Sequence, residues 1–526
     1  MQQNFVLLYN TLGYEKNGTK KVLVRSIDPA DPASVSSAQW TLIKQDGQTV
    51  AQGNFAYRGY SFGLQLWCAD ISGITTPGKY VFKAEFTDVS GDPIYQESSN
   101  EFLICESLYT KSLLLSITLY NALARRAPKD KSYGYFDCNS SMGEARSHGI
   151  FLNGLIKTWI YRKAVLSEEE CAGLIESAQI AFDYMLLLYN DETGAFSNPV
   201  RLNTLNNGVF NTYEALYGFS AFLYYFKDLD PARASVKNYD RAVRSAAYVL
   251  ERYSPEAEKR WGGYEHFEML APVYYYLYKF SGDKQWLEKG IALIDKSLEK
   301  FNLRAMNRCC RNPIPQFEGV YLFARELSGT AVSKRWIKRL TEIKDLYYID
   351  VPRRNAWGII PVCADAKRAA EEWDHMDKPS FSSRQYVTHC AANAMDACFL
   401  GELTGDTSLE AIAAGELGHM LGLNAGLDIS LVENAPEGLQ MSTAAFIHNY
   451  PGRRAKTWYY WEWEPKDPRW MSITNGFIQV NGKYLYDYTH ITDWDTSETF
   501  IKHDGAFAYA FCVYEDFVKS FSARTE

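Results

Sequence analysis

The chain of 526 residues is longer than one ordinary hydrophobic core supports, which points to two or three domains. Its 47% hydrophobic and 22% charged residues exclude wholesale disorder, and a formal net charge of -8 argues against a nucleic-acid partner, whose phosphates need a basic face. An anionic substrate stays open, because a few Arg residues in one cleft suffice to hold it.

The aromatic share is 15%, with 37 Tyr and 13 Trp. Aromatic faces stack on sugar rings and also fill large cores, and on composition alone the core role weighs more. Ten Cys in so long a chain do not make a disulfide scaffold, and without C-x-x-C pairs they read as small buried apolar residues. The adjacent pair Cys309–Cys310 is a poor zinc pattern. Met1 to Tyr9 lacks the basic start and long apolar run of a signal peptide. The expected compartment is therefore the cytoplasm if Met1 is the native start, and the periplasm or exterior if a leader was trimmed. No apolar run approaches the roughly 18–20 residues that span a bilayer.

Taken in chain order, the first hundred or so residues read as short strands. Val22-Leu23-Val24, Trp40-Thr41-Leu42-Ile43, Leu64-Gln65-Leu66-Trp67, Tyr80-Val81-Phe82 and Phe102-Leu103-Ile104 are β-rich and separated by Asp-Gly, Pro-Gly and Gly-Asp turns. The spacing suits an immunoglobulin-like β-sandwich over residues 1–107.

From Leu108 to residue 526 the period changes to that of helices. Ser167 with Glu170 forms a capping box, after which Leu174, Ala178, Ala181 and Met185 fall on one face. Phe280-Ser281-Gly282-Asp283 and Leu403-Thr404-Gly405-Asp406 each end one apolar helix on Gly and cap the next with Asp. Such repeated hairpins, with about a dozen helical segments in all, predict an (α/α)6 barrel, with an open solenoid as the alternative.

Several segments are similar to glycoside hydrolase family 9, the cellulase-like group of the six-hairpin glycosidases. Tyr9-Asn10-Thr11-Leu12-Gly13-Tyr14 and Lys21-Val22-Leu23-Val24 resemble the opening strands of the immunoglobulin-like domain preceding many of its catalytic barrels. Asn393-Ala394 through Asp406, with Gly418-His419-Met420-Leu421-Gly422-Leu423-Asn424, resembles its penultimate hairpin. Thr496-Ser497-Glu498-Thr499-Phe500 and Asp504-Gly505-Ala506 resemble the segment entering its closing helix.

The resemblance implies an inverting glycosidase acting on a β-linked oligo- or polysaccharide, with Glu498 as the acid. Inversion needs one carboxylic acid on the leaving oxygen and a carboxylate opposite to activate water, roughly 6.5–9.5 Å apart. A lone Glu would ordinarily cap a helix or meet solvent; the motif around Glu498 favours the acid. The matching base segment, Gly134-Tyr135-Phe136-Asp137-Cys138-Asn139-Ser140-Ser141, keeps the first acidic position at Asp137 but has Ser141 where the base usually stands. A hydroxyl stays protonated near neutral pH and is no general base without help. Three readings follow: Asp137 or Glu144 takes over as base, the reaction has changed, or hydrolysis is lost. Asp137 is favoured, Glu144 being better explained as a helix-start residue.

The resemblance also places His148 and Ser141 among substrate-binding residues. Phe446 to Arg454 retains His448 with paired Arg453 and Arg454, which suit hydroxyls or a uronate carboxylate; a solvated basic loop is the equal alternative. Trp261 and Trp373 are candidate sugar platforms or core covers, with His375 and Tyr386 beside the second. Trp458 to Glu464 reads as a binding wall or as packing between helices. His148, His375 and His389 share no metal-ligand spacing, no Gly-rich nucleotide motif supports a cofactor, and no G-x-S-x-G nucleophile elbow supports a serine hydrolase, so neither metal nor cofactor is expected. A polysaccharide lyase, using His148, His448 or Tyr386 as base, and a non-catalytic carbohydrate-binding relative are the alternatives. Glu498 favours hydrolysis, whereas Ser141 favours altered chemistry. Such a chain needs no partner subunit to fold.

Overall fold

Alternation builds the first domain. In the strand Gly78–Asp88, Tyr80, Phe82, Ala84 and Phe86 are buried while Lys83 and Glu85 are exposed, as a strand with one wet face requires. The computed structural model describes residues 5–26, 32–61, 64–127, 134–138, 143–197, 208–252, 270–300, 313–354, 356–360, 386–424, 432–433, 467–474, 478–480, 483–485 and 499–525.

The strands in order are β1 (Phe5–Leu8), β2 (Gly13–Glu15), β3 (Lys21–Ser26), β4 (Val35–Lys44), β5 (Thr49–Asn54), β6 (Ala56–Ser61), β7 (Leu64–Asp70), β8 (Gly78–Asp88), β9 (Pro93–Ser98) and β10 (Phe102–Cys105). One sheet has the order β1-β3-β7-β6 and the other β2-β10-β8-β4-β5, with β9 also paired to β8. Every predicted apolar run lies within β3, β4, β7, β8 or β10. Strands β5 and β9 escape the pattern because Gln, Asn, Glu and Gly dilute their apolar residues. Between the sheets, Phe5, Trp67, Phe86 and Tyr95 pack with ring centroids 5.4–5.9 Å apart. Edge and offset contacts of this kind add specificity to the burial of large rings.

Helices begin at Leu108. Ala145–Arg162, Gly208–Tyr225, Ala271–Ser281, Glu318–Glu326, Tyr386–Thr404 and Ile501–Thr525 contact one another in that order, and the last returns to the first. Each of the first five also packs on the helix that follows it: Glu168–Leu187, Val236–Arg252, Lys284–Lys300, Ala331–Ile343 and Glu410–Met420. The closed inner ring with outer partners is an (α/α)6 barrel, and closure rules out the open solenoid.

Local chemistry sets the joints. Ser167 and Glu170 make the reciprocal capping box, with Leu174, Ala178, Ala181 and Met185 buried behind it. Gly282 at φ 73° and Gly405 at φ 74° end their helices left-handed. Asp283 then accepts from the Gln285 N–H at 2.9 Å, and Asp406 from the Ser408 N–H at 3.0 Å. Inner helices approach through glycine: a Cβ on Gly218 would lie 1.9 Å from the Gly149 carbonyl oxygen, and one on Gly154 2.5 Å from Gly505 Cα.

A polar cluster crosses the barrel interior. Buried Lys157 reaches Tyr276 Oη at 2.9 Å, Tyr225 Oη at 3.3 Å and Glu318 Oε1 at 3.4 Å. Glu318 in turn accepts from Tyr217, Tyr276 and Tyr509. Burial opposes the Lys157 charge, but Tyr225 and Glu318 more than offset it and hold the ammonium above its ordinary pKa.

The sandwich is fastened to the barrel by polar contacts. Thr11 donates through N and Oγ1 to the Leu421 carbonyl at 2.9 and 3.0 Å. Thr19 and Tyr514 both bond the Glu410 carboxylate, and Glu15 accepts from the Ser107 and Leu108 amides at the junction between the domains.

Candidate active site

The loop ahead of helix Ala145–Arg162 carries the first candidate group. Gly134 turns the chain at φ 113°, where a Cβ would lie 2.6 Å from the Tyr184 ring and 2.8 Å from His148 Nε2. The Tyr135 N–H donates to His148 Nε2 at 2.9 Å, so Nδ1 carries the proton and donates to the Glu144 carbonyl at 2.9 Å. Burial lowers the His148 pKa to about 4, which keeps the ring neutral. The ring lies between Tyr135 and Tyr184, with centroids at 5.9 and 4.4 Å. Tyr184 also donates to the Gly143 carbonyl at 2.6 Å. Both nitrogens of His148 thus hold the two ends of this loop.

Asp137 lies within that loop and is fully buried. Its Oδ2 accepts the Glu144 N–H at 3.3 Å, and Oδ1 meets no nitrogen or oxygen donor among the described residues. Burial first and the Glu144 charge second raise the carboxyl pKa to about 7, against the Cys138 thiol, the Arg146 charge and the Glu144 amide. Arg146 bonds the Glu144 carboxylate directly.

A second set of contacts ties this loop to the start of the closing helix, Ile501–Thr525. The Ile501 N–H donates to the Asp137 carbonyl at 2.9 Å. Buried Arg125 donates through Nη1 to the Phe136 and Cys138 carbonyls at 3.3 and 3.2 Å, on either side of Asp137. Its Nη2 reaches Thr499 Oγ1 at 2.8 Å and Ser472 Oγ at 2.9 Å, and its Nε reaches Asn121 Oδ1 at 2.8 Å. Asp504 completes the cluster, accepting from Asn121 Nδ2 at 2.6 Å, Ser472 Oγ at 2.7 Å and the Ile473 amide at 2.8 Å. Burial raises the Asp504 pKa to about 7, against the pull of the Arg125 charge. Thr499 directly follows Glu498, so the clamp grips the chain one residue from the candidate acid.

Of the residues singled out in the sequence, Asp137 lies on the loop before the helix Ala145–Arg162 and His148 in that helix's first turn, where its ring bonds the loop at Tyr135 and Glu144. Tyr386 opens an inner helix of the ring, its side chain outside the description. Ser141, Trp261, Trp373 and His375 lie outside the described residues, as do His448, Arg453, Arg454, Glu498 and the tract Trp458 to Glu464. Sequence reasoning missed Arg125, Asn121 and Ser472. The only available signal was an Arg on the apolar face of Leu119–Arg125, easily taken for a snorkelling side chain. Among the described residues, no group of three or more His, Cys, Asp or Glu side chains is placed to hold a metal ion, and no helix is long and apolar enough to cross a membrane.

Residues 3–88 match the family model described as the cellulase N-terminal Ig-like domain. Among solved structures, a metagenome-derived glycoside hydrolase family 9 endoglucanase is similar with a TM-score of 0.64 and 14% identity, over 98% of this chain and 100% of that one. The cellulase Cel9M of C. cellulolyticum is similar with a TM-score of 0.50 and 13% identity, over 78% of this chain and 98% of that one. No curated protein matches the chain. At these identities the likeness is one of fold: an immunoglobulin-like sandwich followed by the helical barrel of those endoglucanases.

Proposed function

We propose that the chain is an inverting glycoside hydrolase that cleaves a β-linked oligo- or polysaccharide, with Glu498 as general acid and Asp137 as general base. The observation that carries this reading is the state of Asp137. It is a buried carboxyl with one oxygen free of nitrogen and oxygen donors among the described residues and a pKa of about 7, held by Arg125 and Ile501 beside the segment that follows Glu498. A carboxylate of that basicity is a far better acceptor of a proton from water than an ordinary one, and it is still ionised in half or more of the molecules above neutral pH. The fold supports the assignment by analogy; the chemistry rests on the site.

In this reading Trp261 and Trp373 stack on sugar rings, while His448, Arg453 and Arg454 grip hydroxyls or a carboxylate. His148 acts as a positioning residue. Neutral, buried and bonded at both nitrogens, it shapes the Asp137 loop and is poorly suited to be the base of a lyase. Asp137→Asn and Glu498→Gln are to be compared with wild type on neutral and uronic-acid polysaccharides, following reducing ends and the absorbance of unsaturated products together. Reducing ends without new absorbance, lost in both variants, support hydrolysis, and inverted anomers seen by NMR support the two-carboxylate mechanism. Unsaturated products would overturn the reading, and binding without products would move it to a carbohydrate-binding protein.

A further inference from the structure

The outer face of the larger sandwich sheet carries a groove of about 720 Å³, within the range of ligand sites. Its lining follows from register. Asn54 on β5 pairs with Gln39 on β4, Gln39 with Glu85 on β8, and Glu85 with Gln96 on β9, so these side chains form one row across four strands. Two residues along, Gln52, Thr41, Lys83 and Ser98 form a second row in the same way. With strands about 4.8 Å apart and residues rising about 3.3 Å, the rows run about 14 Å across the sheet and lie about 7 Å from each other. Apart from half-buried Thr41, every one of these side chains is exposed.

We infer that this groove is a second carbohydrate-binding site, which takes a neutral glycan chain across the strands. Sugar hydroxyls each donate and accept, and the rows offer amides and hydroxyls that do the same. Lys83 and Glu85 cancel in charge, so the two rows neither attract phosphate nor repel it, and their side chains are polar rather than the contiguous apolar patch a lipid or a hydrophobic peptide would need. The site is preorganised: Gln96 Nε2 bonds Glu85 Oε1 at 2.7 Å, which fixes one end of the first row. Its floor is stiff as well. Trp40 lies on the opposite face, stacked on Phe82 at 5.6 Å, and its Nε1 donates to the Asn54 carbonyl at 3.2 Å. Gly53 lets that indole pass, since a Cβ there would lie 2.8 Å from the ring. Recognition here rests on hydrogen bonds rather than on an exposed aromatic platform, and it stands on the sandwich alone, whatever the barrel does.

The test uses the full chain in native gels containing hydroxyethylcellulose, glucomannan or dextran, with albumin as the unretarded reference. Wild type and Asp137→Asn should be retarded alike by at least one of these glycans. The triple variant Gln39→Ala/Gln52→Ala/Gln96→Ala should bind at least about tenfold more weakly while melting as wild type does, because it removes three exposed amide contacts. The single variants Gln39→Ala and Gln96→Ala keep the test available if the triple variant folds poorly. A groove variant retarded like wild type, or a wild type retarded by none of the three, overturns the site. So does a change in mass on light scattering without retardation, which would mark a protein-binding face. Loss of barrel activity with retardation intact would overturn the hydrolase reading and leave this site standing.

Discussion

The backbone N–H of Ile501 bonds the carbonyl oxygen of Asp137 at 2.9 Å, joining residues 364 positions apart in the chain (501 minus 137). One of the two is the candidate base and the other stands three residues past the candidate acid. The backbone and the Arg125 clamp thereby fix the Asp137 loop against Thr499 and Ile501, the residues that follow Glu498 in the chain. That is the kind of support that keeps reacting groups at a working separation.

Asp137 should govern the acid limb of the pH profile. With a folded pKa of about 7, kcat/KM is expected to rise with pH and level off above neutrality. Asp137→Asn should lower kcat by about a hundredfold to ten-thousandfold and abolish that limb. Arg146→Gln, which removes a charge that lowers the Asp137 pKa, should move the limb to higher pH. Initial rates on a soluble substrate from pH 5 to 9 check all three.

Arg125→Met should destabilise the chain by about 3–5 kcal/mol, since it strands buried acceptors and removes the cation facing Asp504. Arg125→Lys keeps the charge but loses the planar fork, and should recover part of the stability while leaving kcat depressed. Urea unfolding with steady-state kinetics on the same preparations separates the two effects. Equal recovery of kcat and stability by the Lys variant would show a purely structural role.

In the barrel interior, Lys157→Met should cost about 3–5 kcal/mol, because the Glu318 carboxylate would keep its tyrosine donors and lose its cation. Lys157→Met/Glu318→Gln should cost less than the sum of the single changes, as expected for two partners in one network. Chemical denaturation of the four proteins in a double-mutant cycle measures the coupling.

Stability should fall as the pH rises from 5 to 9. The Glu15 carboxyl is raised to about 8 by burial and by the nearby Glu515 charge, against its junction amides. A carboxyl whose folded pKa lies above its unfolded value binds its proton more tightly in the folded state. Its stabilising contribution is complete below the unfolded pKa and is lost as pH rises through about 8. Glu15→Gln should therefore flatten the decline in Tm, and an unchanged slope in thermal melts would assign the decline to other buried acids such as Glu416, also raised to about 8.

Much of the architecture is legible in short stretches of sequence because its causes are local. The Ser167–Glu170 box, the Gly282–Asp283 and Gly405–Asp406 joints, and the alternation in β8 each need only neighbouring residues to act. Asp137 could be singled out because its motif neighbours are adjacent in the chain, and the role of the Ser at 141 could be questioned on chemistry alone.

The sequence by itself thus determined a sandwich, a ring of helical hairpins, and Asp137 as a candidate base. Only the tertiary structure decided that His148 serves the loop through both nitrogens, that Arg125 holds Asp137 and Thr499 together, and that eight polar side chains on four strands line one groove. The reason is separation. Arg125 and Thr499 stand 374 positions apart, and strand neighbours are chosen by the pairing of sheets, so their meeting depends on the packing of the whole chain and on no local propensity.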